Sequence, residues 1–169
     1  MPIVQIAQTL VYFAHVPRCA GSSVENYLHG RFGTLGFLDR GFLQTDVTQH
    51  WNKSSPQHVT VAALDRLLPP EFFNARFAVV RHPALRLRSV FLYQRDIEEA
   101  LPADVEFSSW LRTLPGQRQH TPFAFDNHLR PMCELVPPDT RIFKLEQGLD
   151  ALVRWLDRQA QDGSPHKVE

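Results

Sequence analysis

The chain has few cysteines and no long apolar run, the features on which disulfide-bonded, cysteine-ligated metal-binding and membrane-spanning proteins depend. Its 169 residues include only two cysteines, Cys19 and Cys133, and no CxxC or Cys/His metal spacing. A disulfide framework and a cysteine-based metal site are therefore excluded. No run of about 18 apolar residues occurs, and the N-terminus lacks a basic region followed by an apolar one. These absences predict a soluble, cytoplasmic protein.

Excess charge of either sign is also absent. Eighteen Lys and Arg residues balance eighteen Asp and Glu residues, which argues against general nucleic-acid binding. Lysine occurs only at positions 53, 144 and 167, so arginine carries most of the positive charge. The planar fork of arginine suits phosphate and sulfate oxygens. A general replacement of lysine by arginine, arising from genomic base composition, is the alternative explanation.

Three strand–loop–helix units recur along the chain and indicate its fold class. The predicted strands cover residues 10–14, 76–80 and 141–145, and the helices after them begin at Ser22 or Ser23, at Pro83 and at Gln147. Alternating strands and helices favour a parallel sheet. We therefore predict a single-domain, three-layer α/β fold over residues 1–160, followed by a disordered polar tail at 161–169.

The remaining segments are predicted as two further helices and two loops. Thr60 is a natural cap for a helix over residues 61–68, and a short helix is predicted at 108–114. Residues 30–56 are predicted to form a long loop with a brief strand near 35–38, and residues 115–125 a second loop. Long loops inside small domains are often functional.

A loop with many backbone donors follows the first predicted strand. It consists of Pro17, Arg18, Cys19, Ala20, Gly21, Ser22 and Ser23 and ends where a helix is predicted to begin. The N–H groups and the dipole of a helix N-terminus favour anions, and Arg18 adds a fixed positive charge. Because the Gly-Lys-Ser/Thr ending of a Walker A loop is missing, the pattern predicts an anion site other than an ordinary nucleoside triphosphate site.

A second cationic segment follows the predicted strand at 76–80. Arg81 leaves the end of that strand, and Ser89 lies two turns into the next helix. A helix rises about 1.5 Å per residue, so one phosphate along these turns could contact both side chains. Loops at the carboxyl ends of neighbouring parallel strands share one sheet edge, so the two segments predict a site with two anion-binding parts. The alternative is a surface arginine and a solvent-facing serine.

These segments resemble, in the same order, motifs of the PAPS-dependent carbohydrate sulfotransferases (sulfotransferase family 2) related to heparan sulfate 2-O-sulfotransferase. Residues 17–23 are similar to the Pro-Lys-Thr-Ala-Gly-Thr-Ser loop of that family, and the step from Arg81 to Ser89 has the family's length of eight residues. Residues 56–60 and 126–131 match two further motifs. Arg18 stands where the family has Lys, and Met132 stands where it has Gln.

The resemblance implies a P-loop-NTPase-like sulfotransferase that moves a sulfuryl group from PAPS (3′-phosphoadenosine 5′-phosphosulfate) to a hydroxyl of a carbohydrate, with no metal. It implies that the loop of residues 17–23 holds the 5′-phosphosulfate and that Arg81 and Ser89 hold the 3′-phosphate. Arg18 is then the cation at the bridging oxygen. Cys19 within the loop is predicted to be a small packing residue.

Histidine is the residue type best suited to serve as the base, because its ordinary pKa of about 6.5 leaves it neutral at physiological pH. Among eight histidines the resemblance favours His58, with His128 as the rival base or an acceptor-binding residue. Arg130 is predicted to bind an acidic group of the acceptor or to brace the nucleotide. Trp51 and Phe123 are candidates for stacking on a sugar or adenine ring, or for the core.

Two other functions remain open at this point. A P-loop-type small-molecule kinase would need the missing Walker A ending and a carboxylate for Mg²⁺, and neither is evident. A non-catalytic nucleotide- or glycan-binding module of the same fold would be compatible with Arg18 in place of lysine. The sequence identifies neither the acceptor nor the oligomeric state.

Overall fold

A four-stranded sheet forms the centre of the protein. The computed structural model describes residues 1–160, so the tail predicted at 161–169 lies outside the described residues. The strands are β1 (Ile3–Ile6), β2 (Thr9–Ala14), β3 (Ala75–Val80) and β4 (Arg141–Lys144), arranged in the order β1-β2-β3-β4. The β2–β3 and β3–β4 pairs are parallel, which confirms the predicted parallel sheet.

The sequence patterns did not predict β1, which pairs antiparallel with β2. The two strands are joined by a tight turn in which Ala7 has a φ of 51°. Glycine and asparagine are the residues that signal such turns in a sequence, and this turn contains neither. A four-residue strand without that signal leaves little periodicity to recognise.

Five α-helices accompany the sheet within residues 1–160. They are α1 (Gly21–Phe32), α2 (Val61–Leu67), α3 (Pro83–Asp96), α4 (Phe107–His120) and α5 (Asp150–Ala160). Helices α1 and α5 pack on the sheet face that carries Phe13, Phe77 and Phe143, and α2 packs on the opposite face, against Tyr12 and Ala78. This arrangement confirms the predicted three-layer α/β fold.

Helices α3 and α4 share a smaller apolar cluster around Val90, Phe91 and Trp110. Because of these contacts α4 continues through the exposed Pro115 to His120, so the predicted helix end at 114 and the loop beginning at 115 are wrong. Packing of one apolar face outweighs the local preference of a single proline. Among residues 1–160 no helix has the length and apolarity needed to cross a membrane.

Other predicted elements differ from those in the structure in extent or position. The strand predicted near 35–38 is reduced to one isolated bridge between Gly36 and Ile3. The last helix begins at Asp150, after a 3₁₀ turn over Leu145–Gln147. The cap predicted at Thr60 is confirmed, because its side chain accepts a hydrogen bond from the Ala63 amide.

Candidate active site

A cavity of about 1040 Å³ opens at the carboxyl ends of β2 and β3. The register pairs Ala14 with Ala78, so the loops that follow these strands lie side by side, as the sequence predicted. The predicted site residues that line this cavity are Pro17, Arg18, Ala20, Gly21, Ser22, Ser23, His58, Arg81, Ser89 and His128. Residues from four separate segments of the chain are therefore brought to one cavity.

Two predicted residues, Cys19 and Arg130, do not line this cavity. Cys19 is buried at 1% exposure within the core, and burial raises the pKa of its thiol to about 11. Arg130 donates to the Glu134 carboxylate at 2.8 Å and lines a separate, smaller depression. The structure thus leaves Cys19 as a packing residue of the loop and does not bring Arg130 to the cavity.

The loop of residues 17–23, here called the anion-binding loop after its predicted role, leads into α1, whose N-cap lies two or three residues before the predicted Ser22 or Ser23. Ala20, in the left-handed region with a φ of 63°, is the N-cap, and the first helical bond runs from the Val24 amide to the Ala20 carbonyl. The amides of Gly21, Ser22 and Ser23 therefore have no partner within the helix. No acidic residue lies in the first turn, so these three donors and the positive end of the helix dipole are available to an anion.

Gly21 is required by the close approach of the loop to His15. A Cβ atom added at this position would overlap the His15 imidazole. His15 follows β2 and is held under the loop by a 2.6 Å hydrogen bond between its Nδ1 and Glu25 Oε1 on α1. The ring therefore has little freedom to move away.

We expect Gly21→Ala to destabilise the fold by about 1–3 kcal/mol, the usual cost of overpacking, and to weaken the binding of any anion at the free amides, because the loop must move. Gly30→Ala is the matched control on the same helix, because a Cβ there meets nothing within 4 Å. Alanine at position 30 should increase the free energy of unfolding by about 0.5–1 kcal/mol, because glycine is unfavourable inside a helix. Urea unfolding and nucleotide-induced thermal shifts measure both effects. Equal behaviour of the two variants would contradict the steric requirement at Gly21.

Arg18 connects the two anion-binding segments. It adopts a left-handed conformation with a φ of 65°, and its Nε donates to Ser89 Oγ at 3.2 Å. Its guanidinium lies 4.1 Å from the centroid of the Tyr93 ring, a cation–π geometry. Arg81 lines the same cavity, and no side-chain hydrogen bond or close ion pair holds it among the described residues. The carboxylate of Glu146 accepts from the His82 amide at 2.7 Å, and this hydrogen bond, together with the charge of Arg81, lowers the pKa of Glu146. One cation of the cavity is thus held against α3, while a second lies near Glu146.

His58 forms a buried pair with Asp126. Its Nδ1 donates to Asp126 Oδ2 at 2.6 Å, and the same carboxylate accepts from the Ser55 amide and hydroxyl, each at 2.6 Å. Burial opposes ionisation of Asp126, but the hydrogen bonds from His58 and Ser55 outweigh it and lower its pKa to about 2. The ionised carboxylate keeps the proton of His58 on Nδ1, as in other carboxylate–histidine pairs.

The other ring nitrogen of His58, Nε2, is buried and has no hydrogen-bond partner among the described residues. Buried nitrogens are nearly always paired, so an unpaired one in a cavity is a sign of function. The backbone of His58 is fixed as well, because Asn127 Nδ2 donates to the His58 carbonyl at 2.8 Å. The ring is thus held in place with one basic nitrogen left free.

A strained turn presents the carboxylate to His58. Phe125, Asp126 and Asn127 have φ values of 52°, 53° and 64°, three consecutive residues in a region that side chains disfavour. Strain of this kind persists only where surrounding contacts hold it, and it concentrates at functional sites. The hydrogen bonds of Asp126 to Ser55 and His58 are among the contacts that hold this turn.

His15 and His128 flank His58. The His15 and His58 ring centroids are 4.6 Å apart, and those of His58 and His128 are 5.3 Å apart. Burial lowers the pKa of His15 to about 4, against the opposing effect of its hydrogen bond to Glu25. Burial, together with the neighbouring positive groups, also lowers the pKa of His128 well below its ordinary value. Both rings are therefore neutral near pH 7.

We expect the protein to lose stability as the pH falls from 6.5 towards 4. In this window the unfolded chain protonates His15 but the folded chain does not, so the free energy of unfolding decreases with decreasing pH. The lowered pKa of His15 corresponds to a loss of about 3 kcal/mol in the free energy of unfolding across this window. The lowered pKa of His128 contributes in the same direction. Urea titrations at several pH values measure it. His15→Gln should flatten the profile, whereas an unchanged slope in that variant would contradict the assignment to His15.

Arg86 joins two segments of the cavity wall through buried hydrogen bonds, and its position in the sequence did not predict this role. Its guanidinium is buried and donates to the carbonyls of Pro17 at 3.0 Å, Arg130 at 2.9 Å and His128 at 2.9 Å. The anion-binding loop and the segment carrying His128 are thereby joined through one side chain of α3. No carboxylate neutralises it among the described residues, so the three carbonyl dipoles hold this charge.

The sequence reasoning also missed Glu25 and Gln94. Glu25 is buried on α1, where it pairs with His15, and Gln94 lies 3.4 Å from His128 Nδ1. Glu25 could have been found from its helical position, because it adjoins Val24 and precedes Leu28, which mark the buried face of α1. Gln94 carries no comparable signal, since its partner is remote in sequence.

One comparison with known proteins bears on this cavity. The model of the sulfotransferase family matches residues 3–167, which is nearly the whole chain. No match to the chain was found among curated proteins or among solved structures. The family match covers each of the segments that line the cavity.

Proposed function

The chain belongs to the sulfotransferase family, and on this basis we propose that it transfers a sulfuryl group from PAPS to a hydroxyl of a carbohydrate by in-line displacement. The family match supports sulfotransferase activity. The donor, the acceptor class and the base are our proposal. The observation that carries it is the free Nε2 of His58, held by Asp126 in the same cavity as the helix N-terminus and Arg81.

The two ends of the cavity suit a nucleotide with anionic groups at both ends. The free amides of Gly21, Ser22 and Ser23 would bind the 5′-phosphosulfate, with Pro17, Cys19 and Ala20 shaping the loop around it. Arg81 and Ser89 would bind the 3′-phosphate through a charged fork and a hydroxyl donor. A cavity of about 1040 Å³ lies at the upper end of the usual size of ligand sites, leaving room for an acceptor as well.

The hydrogen bonds of the two neighbouring histidines favour His58 over His128 as the base. His58 donates through Nδ1, so Nε2 carries a lone pair that can take the proton of the acceptor hydroxyl. His128 Nδ1 lies 3.4 Å from the amide nitrogen of Gln94, which donates to it, so the proton of His128 is on Nε2. His128 would then donate a hydrogen bond to the acceptor and position it.

Arg18 would stabilise charge on the bridging oxygen as the bond to sulfur breaks. Its guanidinium would have to leave Ser89 and Tyr93, or reach the donor from between them. Such charge stabilisation is the main contribution expected of the protein, since transfer of this kind needs positioning more than covalent chemistry.

A thermal-shift comparison of 3′-phosphoadenosine 5′-phosphate with AMP, ADP and ATP tests the donor site. We expect selective stabilisation by the first compound, of about 2.7 kcal/mol at a concentration one hundred times its Kd. Equal stabilisation by ATP would instead favour the P-loop-type small-molecule kinase. Transfer of labelled sulfate from PAPS to a panel of hydroxyl acceptors then tests the reaction itself.

A non-catalytic binding module remains the second candidate, because Arg18 is held by Ser89 and Tyr93. If the protein is such a module, it should bind 3′-phosphoadenosine 5′-phosphate without transferring sulfate to any acceptor. Arg18→Lys separates the two functions. A higher transfer rate in this variant supports a transferase slowed by arginine, and continued absence of transfer supports the module.

A further inference from the structure

One face of α3 positions Arg18. The side chains of Arg86, Ser89 and Tyr93 lie three and four residues apart on this helix, a spacing that places them on one face. Arg86 Nε donates to the Pro17 carbonyl at 3.0 Å and so fixes the backbone that leads into Arg18. Ser89 Oγ accepts from Arg18 Nε at 3.2 Å, and Tyr93 lies beneath the guanidinium. The backbone and the side chain of Arg18 are thus both held by α3.

These contacts leave part of the Arg18 guanidinium available to a ligand. The guanidinium carbon lies 4.1 Å from the centroid of the Tyr93 ring, and Nε is used by Ser89. Neither Nη1 nor Nη2 of Arg18 has a hydrogen-bond partner within residues 1–160. Arginine binds oxyanions through the N–H groups of its planar fork. Arg18 can therefore bind an oxyanion in the cavity without leaving Ser89 or Tyr93.

Tyr93 also contacts the neighbour of the proposed base. Its ring centroid lies 5.8 Å from that of His128, and the centroids of His128 and His58 are 5.3 Å apart. In the proposed reaction the acceptor oxygen bonds sulfur and the hydroxyl proton goes to His58 Nε2. The bond from sulfur to the bridging oxygen breaks, and that oxygen takes the negative charge. In such an in-line displacement the base and the cation serve opposite ends of the transferred group. Tyr93 contacts both the cation and the residue beside the base.

The Tyr93 ring is itself fixed and neutral. Its backbone carbonyl accepts from the Ile97 and Glu98 amides at 3.1 and 3.0 Å. A hydrogen bond between the Tyr93 hydroxyl and Glu98 raises the pKa of Tyr93 above its ordinary value, so the phenol keeps its proton at physiological pH. The face of a neutral aromatic ring attracts a cation, most strongly where water is partly excluded. Tyr93 and Arg18 are both half-buried, which satisfies this condition.

We propose that Tyr93 is a positioning residue that keeps Arg18 in place during sulfuryl transfer, so that Arg18 acts on the bridging oxygen from its position over the ring. This inference rests on the proposed function, in which Arg18 is the cation at that oxygen. It adds that the arginine and the tyrosine form a matched pair. A planar guanidinium lies on an aromatic ring and still donates from its edge, whereas the compact ammonium of lysine lacks this geometry. Arginine at position 18 thus depends on Tyr93 in a way that lysine would not.

NMR of arginine side chains in the full chain tests whether Arg18 stays over the ring. Protons above an aromatic ring are shifted upfield by its ring current, and the signals of Arg18 are identified by their absence in Arg18→Lys. We expect an upfield shift in the wild type that is retained in Tyr93→Phe and lost in Tyr93→Leu. The shift should persist when PAPS is added to saturation without an acceptor. Loss of the shift on PAPS binding would show that Arg18 leaves Tyr93 to act and would overturn the proposal. Absence of the shift in the free protein would overturn it as well.

A double-mutant cycle in the transfer reaction measures the coupling between the two residues. We expect Tyr93→Leu to lower kcat about tenfold when position 18 is arginine, and less than about twofold in the Arg18→Lys background. The rate of Arg18→Lys by itself does not enter this comparison. A tenfold change corresponds to about 1.4 kcal/mol, which lies within the range of a partly desolvated cation–π contact. Tyr93→Phe keeps the ring and should restore kcat to near the value of the wild type.

Tyr27→Leu is the matched control, because it removes a tyrosine ring 5.9 Å from the guanidinium carbon of Arg31, at a position that does not line the cavity. This variant should leave kcat unchanged in both backgrounds. Equal losses of kcat from Tyr93→Leu in the two backgrounds would make Tyr93 a structural support only and would refute the matched pair. Full activity of Tyr93→Leu, with loss of transfer in Arg18→Ala, would refute the role of Tyr93 and keep the sulfotransferase. Absence of transfer in the wild type and in every variant would refute the proposed function itself.

Discussion

His58→Ala should reduce sulfate transfer by about 10²–10⁴-fold, the usual contribution of a positioned general base, while nucleotide binding is retained. Nε2 of His58 has no hydrogen-bond partner among the described residues, and the hydrogen bonds of His58 go to Asp126, Ser55 and Asn127 rather than to residues 17–23, Arg81 or Ser89. The effect should therefore appear in kcat, with the thermal shift by 3′-phosphoadenosine 5′-phosphate unchanged. Labelled-sulfate transfer and thermal shift measure the two quantities.

His120→Ala is the matched control, because this histidine is exposed at the end of α4 and should not affect transfer. Asp126→Asn should also lower kcat, because an amide no longer holds the proton of His58 on Nδ1. Full activity of His58→Ala, combined with loss of activity in His128→Ala, would assign the base to His128. Retention of activity in both variants would refute a histidine base in this cavity.

Arg86→Leu should destabilise the protein by about 3–6 kcal/mol, the largest effect on stability that we expect from a single substitution. The variant leaves the carbonyls of Pro17, His128 and Arg130 without their donor. Each buried group that loses its partner costs about 1–3 kcal/mol, and the part-buried Arg130 carbonyl costs less because water can reach it. In a chain of this size each kcal/mol lowers Tm by about 2–4 °C. The expected decrease in Tm is therefore about 6–24 °C, measured by calorimetry.

Arg88→Leu provides the comparison, because this arginine is exposed two residues further along the same helix. Surface substitutions of this kind change stability by about 0.5 kcal/mol or less. At temperatures where Arg86→Leu is still folded, we also expect this variant to bind 3′-phosphoadenosine 5′-phosphate more weakly. The hydrogen bonds that join the anion-binding loop at Pro17 to the segment of His128 through Arg86 are then lost. Similar melting temperatures for the two variants would show that Arg86 does not support the cavity.

Local patterns in the sequence were sufficient to predict the main elements of the fold. The apolar runs ending at Ala14 and Val80 predicted the two central strands, and the positions of Thr60 and Pro83 predicted where α2 and α3 begin. The start of α1 was misplaced because Ala20 in a left-handed conformation, rather than a serine, precedes the helix. The extension of α4 past Pro115 depends on Trp110 packing against Phe91, a contact between residues distant in sequence.

The residues of the candidate site also fall into two groups, those predicted from local sequence features and those that depend on contacts between distant segments. Residues 17–23, Arg81 and Ser89 could be chosen from sequence, because anion binding depends on a loop, a helix start and a nearby cation, which are all local features. The pairing of His58 with Asp126 could not be predicted, because 68 residues separate the two side chains. The same holds for Arg86, whose three acceptors lie on segments 42 to 69 residues away.

The sequence by itself determined the α/β class, the anion-binding loop and the list of histidines from which a base could be drawn. Only the tertiary structure decided which histidine has a carboxylate on one nitrogen and no partner on the other, and that Arg130 and Cys19 stay outside the cavity. The physical reason is that local conformation follows from neighbouring residues, whereas burial, charge pairing and hydrogen-bond partners arise from segments that meet only after folding.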